Sequence, residues 1–355
     1  MRSPLPVRDG LNPTRLVLPH DAATVALYPT SYAWLLERFP DDAVRLREKV
    51  AGGEVVTERG EPITPGTPYR PRGFLFLYRD PPADEPAVPF EPEILHRDDD
   101  LLVVDKPHFL ATMPRGRWIR NTVLVRLRAS LDLPELSPVH RLDRPTAGVL
   151  VLTVRREVRG AYQMLFQERQ VRKVYEAVAP LPRLRSLSVD DGGRGAADAD
   201  GADHANGGCG AAEANGAAGD PPSDADVIRR LADGQAVTIR SRIEKHRGTA
   251  PAQELPGEPN AESLITLVAR DDARGLGRYR LEPRTGKTHQ LRLHMASLGV
   301  PILHDPFWPV LREDAADDFD RPLQLLARSL EFRDPLTGDP RRFESRLSLG
   351  EFAAP

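Results

Sequence analysis

The stretch SPVHRLDRPTAGVLVL occupies residues 137–152. Val149–Leu152 is an unbroken apolar run of the kind that forms a buried strand, and His140, Arg141, Asp143 and Arg144 stand just ahead of it. Charged groups at the lip of a buried strand are costly unless they are paired or put to use. Pro145 disfavours helical geometry at Arg144, so the segment is predicted to be a bent loop that delivers Asp143 to the strand entrance. Arginines at 141 and 144 would hold that carboxylate ionised, as a nucleophile or an electrostatic stabiliser must be. A structural ion pair at a strand end accounts for the same residues, and locally both readings stand.

Other stretches offer partners for it. In RTGKTHQLRLHMA, residues 284–296, Arg284, Lys287 and Arg292 gather with His289 and His294 around a glycine turn and a helix start, where free N–H groups and the helix dipole favour an anion. Thr288 is the expected cap and Gly299 the expected stop. The two histidines are five apart, which is not the spacing of a zinc helix. Arg292 lies between Leu291 and Leu293 on a helix otherwise committed to the core. A half-buried arginine needs a carboxylate, so the expected pair is Asp143 with Arg292; a solvated Arg292 on an open helix face is the other reading. In RKVYEAV, Lys173 and Tyr175 share one strand face and could hold a phosphate and stack a base, although a strand tyrosine also serves as plain core. Asp105 and Lys106 end the strand LLVVDK, a place for functional residues and for ordinary turns alike.

With 355 residues, 40% hydrophobic and 28% charged, the chain is long enough for one large domain and a small one. No apolar run approaches the roughly 20 residues of a membrane span, and the N-terminus lacks the apolar core of a signal peptide. One cysteine, Cys209, excludes an internal disulfide framework and a multi-cysteine zinc site, so a cytoplasmic protein is expected. The net charge of −3 averages unlike parts. Residues 190–226 hold nine acidic residues and one arginine, which leaves the rest of the chain at +5, a sign compatible with a polyanionic partner. That acidic Gly/Ala/Asp-rich insert is expected to be disordered, as a loop extension within a domain. Neither a Walker loop nor a GxGxxG turn supports a nucleotide cofactor.

Residues 1–80 are expected to form a small N-terminal module, 81–92 a proline-rich linker, and 93–350 the main domain. From EILHRDDDLLVVDKP onward, strands alternate with helices at NTVLVRLRASLDL, EVRGAYQMLFQER and THQLRLHMASLG. The mixture predicts an α+β fold with a substantial mixed, mostly antiparallel sheet flanked by helices.

Taken in order, LLVVDKPHFLATMPRG, PVHRLDRPTAGVLVL, VRKVYEAV and RTGKTHQLRLHMASLGVPILHDPF resemble the RluA-type family of RNA pseudouridine synthases over roughly residues 90–310. Ala147 stands where serine is more usual in that family, and Lys287 where arginine is. The resemblance implies a pseudouridine-synthase-type sheet and an isomerase acting on structured RNA, 23S rRNA or tRNA, as a monomer without metal or organic cofactor. It implies Asp143 as the catalytic nucleophile, Tyr175 stacking on the uracil, and Arg292 paired with Asp143. Arg141 would enter the RNA stack in place of the extruded base, and Lys106, Lys173, Arg284, Lys287 and His289 would contact the RNA. Residues 31–80 resemble a degenerate form of a small RNA-binding domain found in one ribosomal protein.

Two other classes explain less. A non-catalytic RNA-binding protein on the same fold has no use for a carboxylate facing phosphate. A glycoside or nucleoside hydrolase would want a second carboxylate opposite Asp143, and these motifs supply none.

Overall fold

The computed structural model describes residues 3–183, 212–213, 223–246, 251–312 and 316–352. Two compact units divide it, residues 1–87 with 113–136, and residues 88–112 with 137–355.

The first unit contains β1 (Thr14–Val17), α1 (Ala22–Leu27), α2 (Ser31–Arg38), α3 (Ala43–Ala51), β2 (Val56–Thr57), β3 (Phe74–Leu77) and α4 (Val123–Leu131). Its three strands run antiparallel in the order β1-β3-β2. Trp34, Leu35, Leu46, Val50, Ile63 and Leu75 form its core. The expected module thus gains a helix from later in the chain, and specific bonds explain why. Buried Arg128 on α4 donates to the carbonyls of Leu136 and Gly10 at 2.9 and 3.2 Å. Glu85, inside the expected linker, accepts from the backbone N–H groups of Ile119, Arg120 and Asn121 at 2.9, 3.0 and 2.6 Å. Thr122 caps α4 through the N–H of Val125.

The second unit carries β4 (Glu93–Arg97), β5 (Leu101–Lys106), β6 (Ser137–Pro138), β7 (Ala147–Thr153), α5 (Arg159–Gln167), β8 (Arg172–Pro180), β9 (Ala212–Glu213), α6 (Asp224–Ala232), β10 (Val237–Glu244), β11 (Gln253–Leu255), β12 (Ala261–Asp271), β13 (Leu276–Pro283), α7 (Gln290–Ser297), β14 (Leu325–Arg333) and β15 (Pro340–Glu344). Among the described residues these strands form one sheet, whose main path is β11-β10-β12-β13-β8-β14-β7-β5-β4. Every pairing is antiparallel except β7 with β14, which bears out the mixed, mostly antiparallel sheet. Interior strands β5 and β7 are buried along their whole length, whereas β10 alternates buried and half-buried residues, as a strand with one wet face does. Helices α6 and α7 pack Val227, Leu231, Leu291 and Met295 on one half of the sheet. Helix α5 packs Tyr162 and Leu165 on the other.

Gly148 makes the parallel pairing possible. Its φ is +114°, and a Cβ there would lie 2.3 Å from the carbonyl oxygen of Ala327 on β14. Only glycine fits so close an approach.

Most of the expected acidic insert, 190–226, lies outside the described residues. Its end does not behave as an unstructured loop: Ser223 caps α6 through the N–H of Asp226, and Asp224 and Asp226 sit in the first turn, where the helix dipole favours acidic groups. No described helix is long and apolar enough to cross a membrane.

Candidate active site

The loop that carries Asp143 is held from beneath by residues 106–112, which follow β5. The hydroxyl of Thr112 donates to the carbonyl of Leu142 at 2.8 Å and accepts from its N–H at 3.2 Å. Lys106 Nζ donates to the carbonyls of Pro107, Leu110 and Arg144 at 2.9, 2.8 and 3.1 Å. His108 Nδ1 donates to the carbonyl of Pro145 at 2.7 Å. The loop closes on itself through the N–H of Thr146, which donates to the carbonyl of Asp143 at 3.1 Å. Neighbouring backbone groups are therefore committed, while the Asp143 side chain, 20% exposed, faces an open cleft.

Two expectations change here. Lys106, assigned above to RNA contact, is fully buried and spends all three donors on backbone carbonyls, so it supports the loop and cannot reach a ligand. Burial pulls its ammonium down to about 7, opposed by the charge of Asp143. Arg144, expected to hold Asp143 ionised, turns instead to Asp317, with two bonds of 2.7 Å, and reaches the Phe109 carbonyl at 3.4 Å.

Arg292 lies where the sequence places it, on α7 and 1% exposed. Its Nη1 stands 3.7 Å from Asp143 Oδ2, so the expected pair forms, loosely. Its tight partner is Asp305, with Nε and Nη2 bonds of 2.7 and 2.6 Å. The guanidinium also lies over the rings of Phe307 and Trp308, 4.6 and 5.3 Å from their centroids. Asp305 escaped the sequence reading although it lies in the quoted motif. The available signal was stoichiometric: a buried guanidinium has five donors, and one distant carboxylate cannot satisfy them.

Helix α7 starts one residue later than expected. His289 takes the cap position in a left-handed conformation, φ +59°, and no side chain caps the helix, so Thr288 does not serve. Gly299 follows the end with φ +74°, as expected. His289 Nδ1 accepts from the N–H of Ala252 at 3.2 Å, which leaves the proton on Nε2, 4.0 Å from Asp143 Oδ1. Burial holds this ring neutral, with its pKa down at about 4. His140 accepts from the N–H of Val151 at 3.1 Å and stacks on Phe166; burial drives it down to about 3. It shapes the loop as a neutral base.

Tyr175 and Lys173 reach the cleft from β8, directly beside the irregularity where β14 shifts register between Ala327 and Ser329. Bulges of this kind re-aim side chains next to functional sites. Burial and the Asp143 charge raise the Tyr175 phenol, so it stays protonated near neutrality. Lys173 makes one long contact, 3.4 Å, to the carbonyl of Thr285, and burial lowers its pKa.

The cleft has a volume of about 760 Å³. Arg141, Arg169, Lys173, Arg284, Lys287 and Arg292 line it, and Asp143 is the one carboxylate among its described lining residues. Of the nine residues that the resemblance assigns to catalysis or RNA contact, Lys106 alone falls outside it. Among the described residues no cluster of three or more His, Cys, Asp or Glu side chains could hold a metal ion.

A family model described as RNA pseudouridylate synthase matches residues 100–297. An uncharacterised RNA pseudouridine synthase of Synechocystis is 28% identical over 260 residues, 73% of this chain and 72% of its own length. The dual-specificity RNA pseudouridine synthase RluA of Yersinia pestis is 28% identical over 253 residues, 71% of this chain and 97% of that one. The tRNA pseudouridine synthase C of Salmonella typhi is 28% identical over 263 residues, 72% and 85% of the two chains. The match takes in the Asp143 loop, β8 and α7 and covers more than half of the sequence: the chain belongs to the RNA pseudouridylate synthase family.

Proposed function

We propose that this RNA pseudouridine synthase isomerises specific uridines of structured RNA, in 23S rRNA, tRNA or both, with Asp143 as its catalytic carboxylate. The observation that carries the reading is a single carboxylate, with its loop pinned on both sides, in a cleft lined by six cationic side chains. Such a cleft attracts a polyanion while keeping one nucleophile at its floor. The target uridine leaves its stack to enter, and Arg141, exposed and planar, is suited to take its place. Asp143 attacks the nucleotide and the N1–C1′ bond breaks. The uracil turns, C5 bonds to C1′, the bond to Asp143 breaks so that the free carboxylate is regenerated, the C5 proton leaves and N1 ends protonated. Atoms balance within one nucleotide, so nothing else is consumed. A protonated Tyr175 packs on the uracil face, and Arg292, anchored by Asp305, offsets the Asp143 charge. Lys173, Arg284, Lys287 and His289 contact the RNA around it.

The relatives named for dual-specificity and tRNA modification support the choice of substrate class. The single cysteine and the family likeness support a cytoplasmic monomer. A solvated cleft with one carboxylate argues against hydrolysis by a carboxylate pair. Pseudouridine mapping by carbodiimide labelling and primer extension, on RNA from cells with and without the gene, tests the reading. Loss of one or a few signals in the deletion is expected. No lost signal, together with no product when the purified protein meets that RNA, would overturn it.

A further inference from the structure

Arg169 ends the turn after α5 in a left-handed conformation, φ +58°, at a position where helices usually place glycine. The N–H groups of Arg169 and Gln170 close back on Phe166 and Leu165, so the strained backbone is fixed by the helix end. A bulky residue kept where glycine would be easier calls for a reason in its side chain. That side chain is exposed, lines the cleft, and makes no ion pair or hydrogen bond with a described residue. Arg172, Arg242, Arg280 and Arg284 of the same unit are each paired with a glutamate. Lys173 is its neighbour across the cleft wall, with one long carbonyl contact and the open Gly286 turn before it, where a Cβ would lie 4.0 Å from Nζ. Burial chiefly, and the nearby Arg169 charge after it, lower the pKa of Lys173, and neither side chain is ion-paired with a carboxylate among the described residues.

We infer that Arg169 and Lys173 form a subsite for a backbone phosphate of the RNA strand, on the β8 side of the cleft. A phosphate placed between them turns mutual repulsion into two charge-assisted contacts. The inference rests on the RNA reading above and adds a specific anchor to it.

Arg169→Gly separates the two uses of this position, because glycine relieves the backbone and deletes the cation. Binding of unmodified bulk tRNA is measured across a salt titration beside the melting temperature. Expected are a melting temperature equal to or above wild type, affinity weaker by about fivefold, and a log–log salt slope lower by about 1. Arg169→Lys should keep most of that slope. An unchanged slope in Arg169→Gly, or a weaker affinity accompanied by a lower melting temperature, would overturn the subsite. If the slope falls as expected while the wild-type protein forms no pseudouridine, the subsite stands and the catalytic reading falls.

Discussion

Arg292 Nη1 stands 3.7 Å from Asp143 Oδ2, held at that distance by the two short bonds the same guanidinium makes to Asp305. Asp305 is in turn fixed by the N–H of Phe307 at 2.8 Å. The arginine therefore lends charge to Asp143 without closing on it, which leaves the carboxylate oxygens free for a substrate.

Removing that anchor should be felt twice. Asp305→Asn leaves a buried guanidinium half-compensated, and breaking a buried pair costs about 3–5 kcal/mol. Released from Asp305, Arg292 would draw in on Asp143 and occupy it, and a misplacement of this size lowers single-turnover rate on the order of a hundredfold. Urea unfolding and single-turnover pseudouridine formation check both effects. A variant with normal rate would show that Arg292 needs no second carboxylate.

Lys106→Met tests the support beneath the loop. The substitution keeps the volume but orphans one buried carbonyl, worth about 1–3 kcal/mol when left unsatisfied, and two partly buried ones. A loss of about 3 kcal/mol or more is expected by urea unfolding. Faster amide exchange at Thr146, whose N–H closes the Asp143 turn, should accompany it. Wild-type stability and protection would contradict the supporting role.

His294 on α7 is fully buried between the hydroxyls of Ser263 and Ser241, at 2.9 and 3.1 Å, and burial lowers its pKa from 6.5 to about 4. Because the folded value lies below the unfolded one, the unfolded chain takes up the proton first as pH falls. The stability due to a neutral His294 is complete above pH 6.5 and is lost between there and about 4, in total about 3 kcal/mol. Unfolding free energies of wild type and His294→Asn, measured from pH 7.5 to pH 5 at roughly half-unit steps, should converge on the acid side. Parallel curves would place a charged imidazole in the fold.

What the sequence made legible had local causes. The Asp143 loop announced itself through Pro145 before an apolar run, and Arg292 through its two flanking leucines. The sheet followed from strand patterns that alternate with helices. Residues whose roles depend on distant chain segments were hidden. Thr112, His108 and Lys106 hold the loop only because β5 pairs with β7, from Lys106 opposite Gly148 to Leu101 opposite Thr153. A lysine at a strand end reads as exposed until residues 107–110 are seen to wrap its head. Asp317 lies 173 residues from Arg144, and no spacing rule joins them. The acidic insert was drawn too far because Ser223, Asp224 and Asp226 share its composition, although their placement is that of a helix cap. The module boundary failed similarly, since the attachment of α4 to the first unit rests on Arg128 and Glu85, single side chains without a pattern.

The most direct test of the account is Asp143→Asn, nearly isosteric and unable to act as a carboxylate. Purified variant and wild type are incubated with RNA from cells lacking the gene, and pseudouridine is mapped alongside melting temperature and RNA affinity. A folded variant that still binds RNA and forms no pseudouridine is expected. Turnover near the wild-type rate would contradict it, and would leave Asp143 a structural residue at a strand end.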